Sequence, residues 1–204
     1  MNKSSGKYEI KKEQIIDAAE DLFAYYGYHK TTFDDIARKI GIKKNSIYYY
    51  FESKEELLNA IIANIYKIKV EQFEKRAAKS KTALNKLKAF LSVLTSQKYS
   101  DSKKYNITPT AFLEISRVID ESFYNFFEEA KKMVIDILNE GIKKGELRKH
   151  NTKNSADTIL EFARSLEFLE YTRSNTKFIS RETQKNLENR LMHFVDLIYY
   201  GIKK

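Results

Sequence analysis

The chain has 204 residues, 42% of them hydrophobic and 32% charged, with no cysteine, one proline and six glycines. This composition excludes a disordered chain, a disulfide framework, a cysteine nucleophile and a thiolate metal site, and so few strand-and-turn residues point to an all-α protein. Lys and Arg outnumber Asp and Glu by 37 to 28, a net charge of +9 that suggests an acidic partner, nucleic acid first.

Apolar residues recur at helical spacing almost throughout. The lysine-rich segment Met1–Lys12 leads into no signal-peptide-like apolar run, and no stretch approaches a membrane span, so the chain reads as soluble and cytoplasmic. Ile15, Ala19, Leu22 and Tyr26 form the stripe of a first helix, with Ile16 and Phe23 beside it, and Gly27 ends it. Phe33, Ile36, Ala37 and Ile40 mark a short second helix, opened by Thr32 and Asp35 in a Thr-x-x-acid arrangement. A third runs from about Lys44 to Phe51. Ser53, followed by Glu55 and Glu56, caps a long fourth helix with the stripe Leu57, Leu58, Ile61, Ile62, Ile65 and Ile68.

Long helices follow. One spans about 82–97 on Leu84, Leu87, Leu91 and Leu94; the polar stretch 99–109 reads as a loop, with Pro109 at the first turn of the next helix. Phe123, Phe127, Ala130, Val134, Ile137 and Gly141 stripe a helix over 122–144, stopped by Gly145. Two final helices, about 152–174 and 180–203, carry Ile159, Ala163, Leu166 and Leu169, then Leu187, Leu191, Phe194 and Ile198.

The segment Phe33–Glu52 fits a helix-turn-helix. Ala37 is small where the two helices cross, Gly41 four positions later tolerates a left-handed turn, and Ile36, Ile40, Ile42 and Ile47 supply the apolar contact. The second helix then has Lys43, Lys44, Asn45, Ser46, Tyr48, Tyr49 and Tyr50 for a major groove. Three consecutive tyrosines on a helix point about 100° apart, so they cannot all be buried. His29, His150 and His193 are scattered without metal-ligand spacing, and no phosphate loop or nucleophile elbow occurs, which argues against a metal site, a cofactor and an enzyme.

The pieces AAEDLFAYYGY, TTFDDIA, GIKKNSIYYYF and SKEEL, in order between Ile15 and Leu58, resemble the DNA-binding domain of the TetR/AcrR family of transcriptional regulators. Further on, EGIKKGELR resembles a common feature of that family at the end of the seventh helix. The resemblance implies an N-terminal three-helix DNA-binding domain over 1–54, joined by a long helix to a helical effector-binding and dimerisation domain over 55–204, with about nine helices in all. It implies that Thr31 and Thr32 contact phosphates, that Lys44, Asn45 and Ser46 face base edges, and that Tyr48 and Tyr49 contact backbone and thymine methyls. Tyr50 falls where many relatives have His, and Lys54 is expected to hold a phosphate at a helix N-terminus. Lys43 is charged where many relatives have a small polar residue.

The expected function is a homodimeric repressor, released from a palindromic operator by a small hydrophobic ligand. Aromatic density places the ligand pocket among Phe90, Leu94, Phe112, Phe123, Phe127, Met133 and Phe162, and helix spacing places the dimer interface at Ile159, Ala163, Leu166, Leu191, Phe194 and Ile198. The rival readings are an activator or helical interaction module controlled by a protein partner, without a small-molecule inducer. Charge sharpens the picture: residues 1–66 hold ten basic and ten acidic residues, so the whole surplus of nine falls in 67–204. Within the first segment, 13–27 carries four acids and no base, while 1–12 and 28–54 are basic. A neutral domain can therefore still present a positive face. Lys outnumbers Arg by 29 to 8, a bias that fits an AT-rich coding sequence and accounts for part of the surplus without function.

Overall fold

The computed structural model describes residues 3–96, 108–118, 120–173 and 180–204, with the side chains of 3–5, 116–117 and 120–125 outside that description. Among the described residues there are nine helices and no strand: α1 (Lys3–Tyr26), α2 (Phe33–Ile40), α3 (Lys44–Tyr48), α4 (Lys54–Ala77), α5 (Ala83–Leu94), α6 (Pro109–Val118), α7 (Asp120–Lys143), α8 (Thr152–Arg173) and α9 (Arg181–Ile202). The fold is all-α, as composition and periodicity suggested. The expected loop over 99–109 falls mostly outside the described residues, and α6 begins on Pro109, where a missing N–H costs no helical bond.

The chain divides into two compact units, Met1–Ile65 with Lys104–Asp120, and Tyr66–Lys103 with Glu121–Lys204. The division expected after residue 54 falls inside the first unit, because Leu57, Leu58 and Ile61 of α4 belong to its core. The first unit also takes α6, whose partly buried Ile115 and Val118 pack on the same core.

In the first unit, α1 buries Ile15, Ala19 and Phe23, while Tyr26, expected on the same stripe, is 57% exposed. Gly27 ends α1 with φ +93°, and a Cβ there would stand 2.6 Å from Glu114 Oε2 of α6. Only glycine satisfies both the backbone and the approach. Thr32 caps α2: its hydroxyl accepts from Asp35 N–H (3.2 Å), and Asp35 Oδ2 accepts from Thr32 N–H (3.0 Å). Donation from the Thr32 hydroxyl to Asp35 Oδ2 (2.6 Å), and then from Thr32 N–H, holds the Asp35 carboxyl below its usual range. Gly41 closes α2 at φ +69°, letting Ile42 N–H reach Ala37 O at 3.0 Å and Gly41 N–H reach Arg38 O at 3.4 Å.

The second unit is built on long inner faces: Leu87 and Leu91 of α5, Val134, Ile137 and Leu138 of α7, Ile159, Leu160, Ala163 and Leu166 of α8, and Leu187, Leu191 and Val195 of α9. Gly141 lets α7 pack closely, since a Cβ there would meet Ala83 Cβ and Leu147 Cδ1 at 2.8 Å. The segment after it, Glu146–Arg148, ties three helix ends together. Glu146 Oε2 accepts Ala83 N–H at the start of α5 (2.8 Å), and Arg148 N–H donates to Ile202 O at the end of α9 (2.9 Å). An orphan N–H and an orphan C=O of two helix ends are thereby satisfied.

Candidate nucleic-acid interface

Helix α3 is shorter than the span 44–51 expected from sequence. It ends at Tyr48, and Tyr50 N–H and Phe51 N–H both return to Ile47 O, at 2.8 and 3.0 Å. The chain tightens there because Ser53 must cap α4 five residues later. Ser53 Oγ accepts Glu56 N–H (3.0 Å), and Glu56 Oε2 accepts Glu52 N–H (2.7 Å). Ile47 and Phe51 are fully buried and anchor this segment to the core.

That anchoring turns one face outward. Lys43, Lys44, Asn45 and Ser46 are exposed, Tyr48 is half exposed and Tyr49 is 74% exposed. The ring of Tyr48 packs edge-on against Phe33, which fixes its direction. Lys44 Nζ is held by Asp34 Oδ2 at 2.8 Å, and this ion pair raises the lysine above its usual pKa. A phosphate or base edge must compete with Asp34 for Lys44.

Two expected phosphate contacts are placed otherwise. Thr31 is buried, and its hydroxyl donates to Gly27 O (2.9 Å) and Leu22 O (3.3 Å), so it closes the α1–α2 turn from inside. Lys54 folds back across the same turn: its Nζ donates to Tyr28 O (2.8 Å) and Thr31 O (3.1 Å) and stands 4.4 Å from the Tyr28 ring centre. Desolvation there pushes the lysine below its usual pKa. Both residues hold the reading head together from within. Thr32 is exposed but spends its hydroxyl on the Asp35 cap.

Tyr8 was not among the expected residues. Its ring packs on Tyr50 at 4.8 Å and on Tyr49 at 5.8 Å, binding the start of α1 to the end of α3. The signal was its place seven residues before Ile15, on the same helical face.

The second unit contains a small, half-open apolar hollow. Its walls are Tyr66, Lys69, Val70 and Phe73 of α4, Phe90, Val93 and Leu94 of α5, and Phe126, Ala130 and Met133 of α7. Three expected residues, Phe90, Leu94 and Met133, line it. Phe126 stands in the wall, and the expected Phe127 is not among the lining residues. Phe112 belongs to the first unit, Phe123 lies outside the described side chains, and Phe162 is exposed and stacked on Phe194 at 3.7 Å. The missed residues of α4 stand at i, i+3, i+4 and i+7, and a lysine inside that apolar stripe was the signal.

Of the expected dimer residues, Ile159, Ala163, Leu166 and Leu191 are buried in the chain's own interior and are not available to a second copy. Phe194 and Ile198 are half-buried. The exposed apolar residues of α8 and α9 are instead Phe162, Phe168, Leu197 and Tyr200.

A capped helix, a left-handed glycine turn and a short helix that presents a polar and aromatic face define a helix-turn-helix DNA-binding unit. Residues 15–61 match the sequence profile of bacterial regulatory proteins of the tetR family. The fatty acid metabolism regulator protein of Bacillus subtilis is 28% identical over 68% of this chain and 71% of its own. The negative transcriptional regulator IcaR of the icaADBC biofilm operon in Staphylococcus epidermidis is 44% identical over 27% of this chain and 30% of its own. A putative transcriptional regulator of Saccharomonospora viridis, solved in complex with choline, shares the fold at 17% identity, with a TM-score of 0.76 over 96% of this chain and 99% of that one. Residues 15–61 therefore carry a DNA-binding domain of the tetR family type, and the relatives that share it are transcriptional regulators. No helix among the described residues is long and apolar enough to cross a membrane.

Proposed function

We propose that two copies of this chain bind a palindromic operator in the cytoplasm as a repressor, and that a small, largely apolar ligand in the hollow of the second unit releases them. The observation that carries the reading is the outward face of α3: Lys43, Asn45, Ser46, Tyr48 and Tyr49 stand exposed around the buried anchor Ile47. Lysine and asparagine supply hydrogen bonds to base edges and phosphates, and the tyrosine rings supply apolar contact to thymine methyls. IcaR is a negative regulator by name, which supports repression.

A second copy is the cover that fits Phe162, Phe168, Leu197 and Tyr200 on the last two helices. Two antiparallel helices with large exposed apolar side chains close into a four-helix bundle with their mates. Two-fold symmetry then sets two α3 helices in successive major grooves, with half-sites about 34–36 Å apart. The Saccharomonospora protein, solved in complex with choline, supports the reading of a small-molecule effector. A ligand in this hollow touches Tyr66 to Phe73 of α4, and the same helix carries Leu57 and Leu58 of the DNA-reading core. Release follows when the ligand binds the DNA-incompetent arrangement better, and DNA then weakens the ligand by the same factor.

Footprinting on the region upstream of the chain's own gene tests the reading. The expected result is protection of two inverted half-sites one helical turn apart. Protection without inverted symmetry, or none on any upstream region, contradicts it.

A further inference from the structure

Most cations of the first unit are already spent. Among its described residues, carboxylates hold Arg38, Lys39 and Lys44, and carbonyls hold Lys54. Lys7, Lys11, Lys30 and Lys43 have no such partner among the described residues. A duplex is held chiefly through its phosphates, so these lysines are the groups left to hold them. Lys7 and Lys11 stand on the first turns of α1, which start at Lys3 and precede the profile match at residues 15–61.

Tyr8 ties those turns to the reading helix. Its ring lies 4.8 Å from Tyr50 and 5.8 Å from Tyr49, and Tyr49 is 74% exposed on the outward face. Lys12 Nζ stands 5.5 Å from the ring centre of Phe51 and holds the next turn. At about 100° per residue, Lys7 and Lys11 lie about 40° apart on one side of Tyr8, and Glu9 and Glu13 lie roughly opposite them. The start of α1 is therefore basic on one side and acidic on the other. Lys7 is exposed and Lys11 half-buried.

We propose that the first turns of α1 are a second DNA-binding element. Lys7 and Lys11 hold phosphates beside the groove that α3 enters, and Tyr8 is a positioning residue that keeps them there by packing on Tyr50 and Tyr49. The proposal rests on the DNA-binding reading of α3 and adds contacts to the backbone, which carry no base preference.

The test uses the full-length protein and a fluorescent duplex of random sequence, titrated between about 50 and 200 mM salt. Random sequence removes base readout, so the result does not depend on which operator is bound. Lys7→Gln with Lys11→Gln is expected to bind about tenfold or more weaker at the low-salt end, and to lower the salt slope by about 0.9 per lysine for each copy bound. Lys203→Gln with Lys204→Gln removes the same charge from two exposed residues of the second unit and should leave the slope nearly unchanged. Tyr8→Ala should weaken binding in the wild-type background, and much less on top of Lys7→Gln with Lys11→Gln, while Tyr8→Phe binds as wild type. A merely structural role for Tyr8 would cost the same in both backgrounds. An unchanged slope in the Lys7 and Lys11 variant, or an equal change in the Lys203 and Lys204 variant, overturns the proposal and leaves the α3 reading standing. Failure of the wild type to bind the duplex at the low-salt end overturns both.

Discussion

The two units solve different problems with the same element. The first packs short helices and spends polar side chains on their ends: Thr32 and Asp35, Ser53 and Glu56, and Lys54 on the Tyr28 and Thr31 carbonyls. That leaves α3 anchored by Ile47, with Lys43, Asn45, Ser46 and Tyr49 exposed on its outer face. The second packs long helices side by side and leaves a small apolar hollow among α4, α5 and α7. Under the proposed function, a reading head holds its side chains in one geometry to match a groove, whereas a ligand-responsive body needs a second arrangement close in energy. Fixed ends and an open interior are the physical forms of those two demands.

The contrast breaks most severely at Ile47. Ile47→Ala opens a cavity beneath the short helix and should cost about 2–4 kcal/mol. Hydrogen exchange is expected to show protection falling across residues 15–61 while Leu160, Leu187 and Leu191 keep theirs. Equal loss in both units would mean that they unfold as one body.

Lys54→Met is the next largest effect. Removing the ammonium leaves the Tyr28 and Thr31 carbonyls without it, and a thermal melt should show about 1–2 kcal/mol of lost stability. The salt dependence of operator binding should keep its slope, because the ammonium is occupied by these carbonyls. A slope lower by about one unit would restore the phosphate role that family resemblance implied.

The smallest effect lies in the second unit. Glu140 accepts from Lys86 (2.5 Å) and Lys144 (2.6 Å), whose hydrogen bonds pull its carboxyl from 4.5 to about 2. A carboxyl depressed in the folded state stabilises above its unfolded pKa and loses that contribution as pH falls through the folded value. The stability difference between wild type and Glu140→Gln should therefore shrink as pH falls from 4.5 to about 2. Exposed pairs contribute no more than about 1 kcal/mol, so melts at several pH values are needed to see it.

The reading head was legible in sequence because its determinants are local. Thr32 and Asp35 are three residues apart, Ala37 and Gly41 four, and spacing alone dictates the cap and the turn they make. Lys54 was not legible, since its partners lie 23 to 26 residues upstream and only the folded turn brings them within reach. Thr31 was expected on a phosphate from resemblance alone, and its hydroxyl instead faces Gly27 O. In α8 and α9 the periodicity identifies helices that carry apolar residues on more than one face. It does not say which face turns inward, and Leu191 took the interior while Leu197 stayed outside. The hollow was half legible for a related reason. Phe126 and Phe127 are adjacent in sequence, and only the rotation of α7 decides which one reaches the wall.

The central claim is that the outward face of α3 reads DNA. Footprinting wild type beside the double variant Lys43→Ala, Tyr49→Ala tests it most directly, because both side chains are exposed and Tyr49 adds only ring-edge contacts to Tyr8 and Tyr50. The account predicts two protected inverted half-sites for wild type, and for the variant an affinity lower by about a hundredfold with an unchanged melting temperature. Protection by the variant at wild-type concentrations would contradict it.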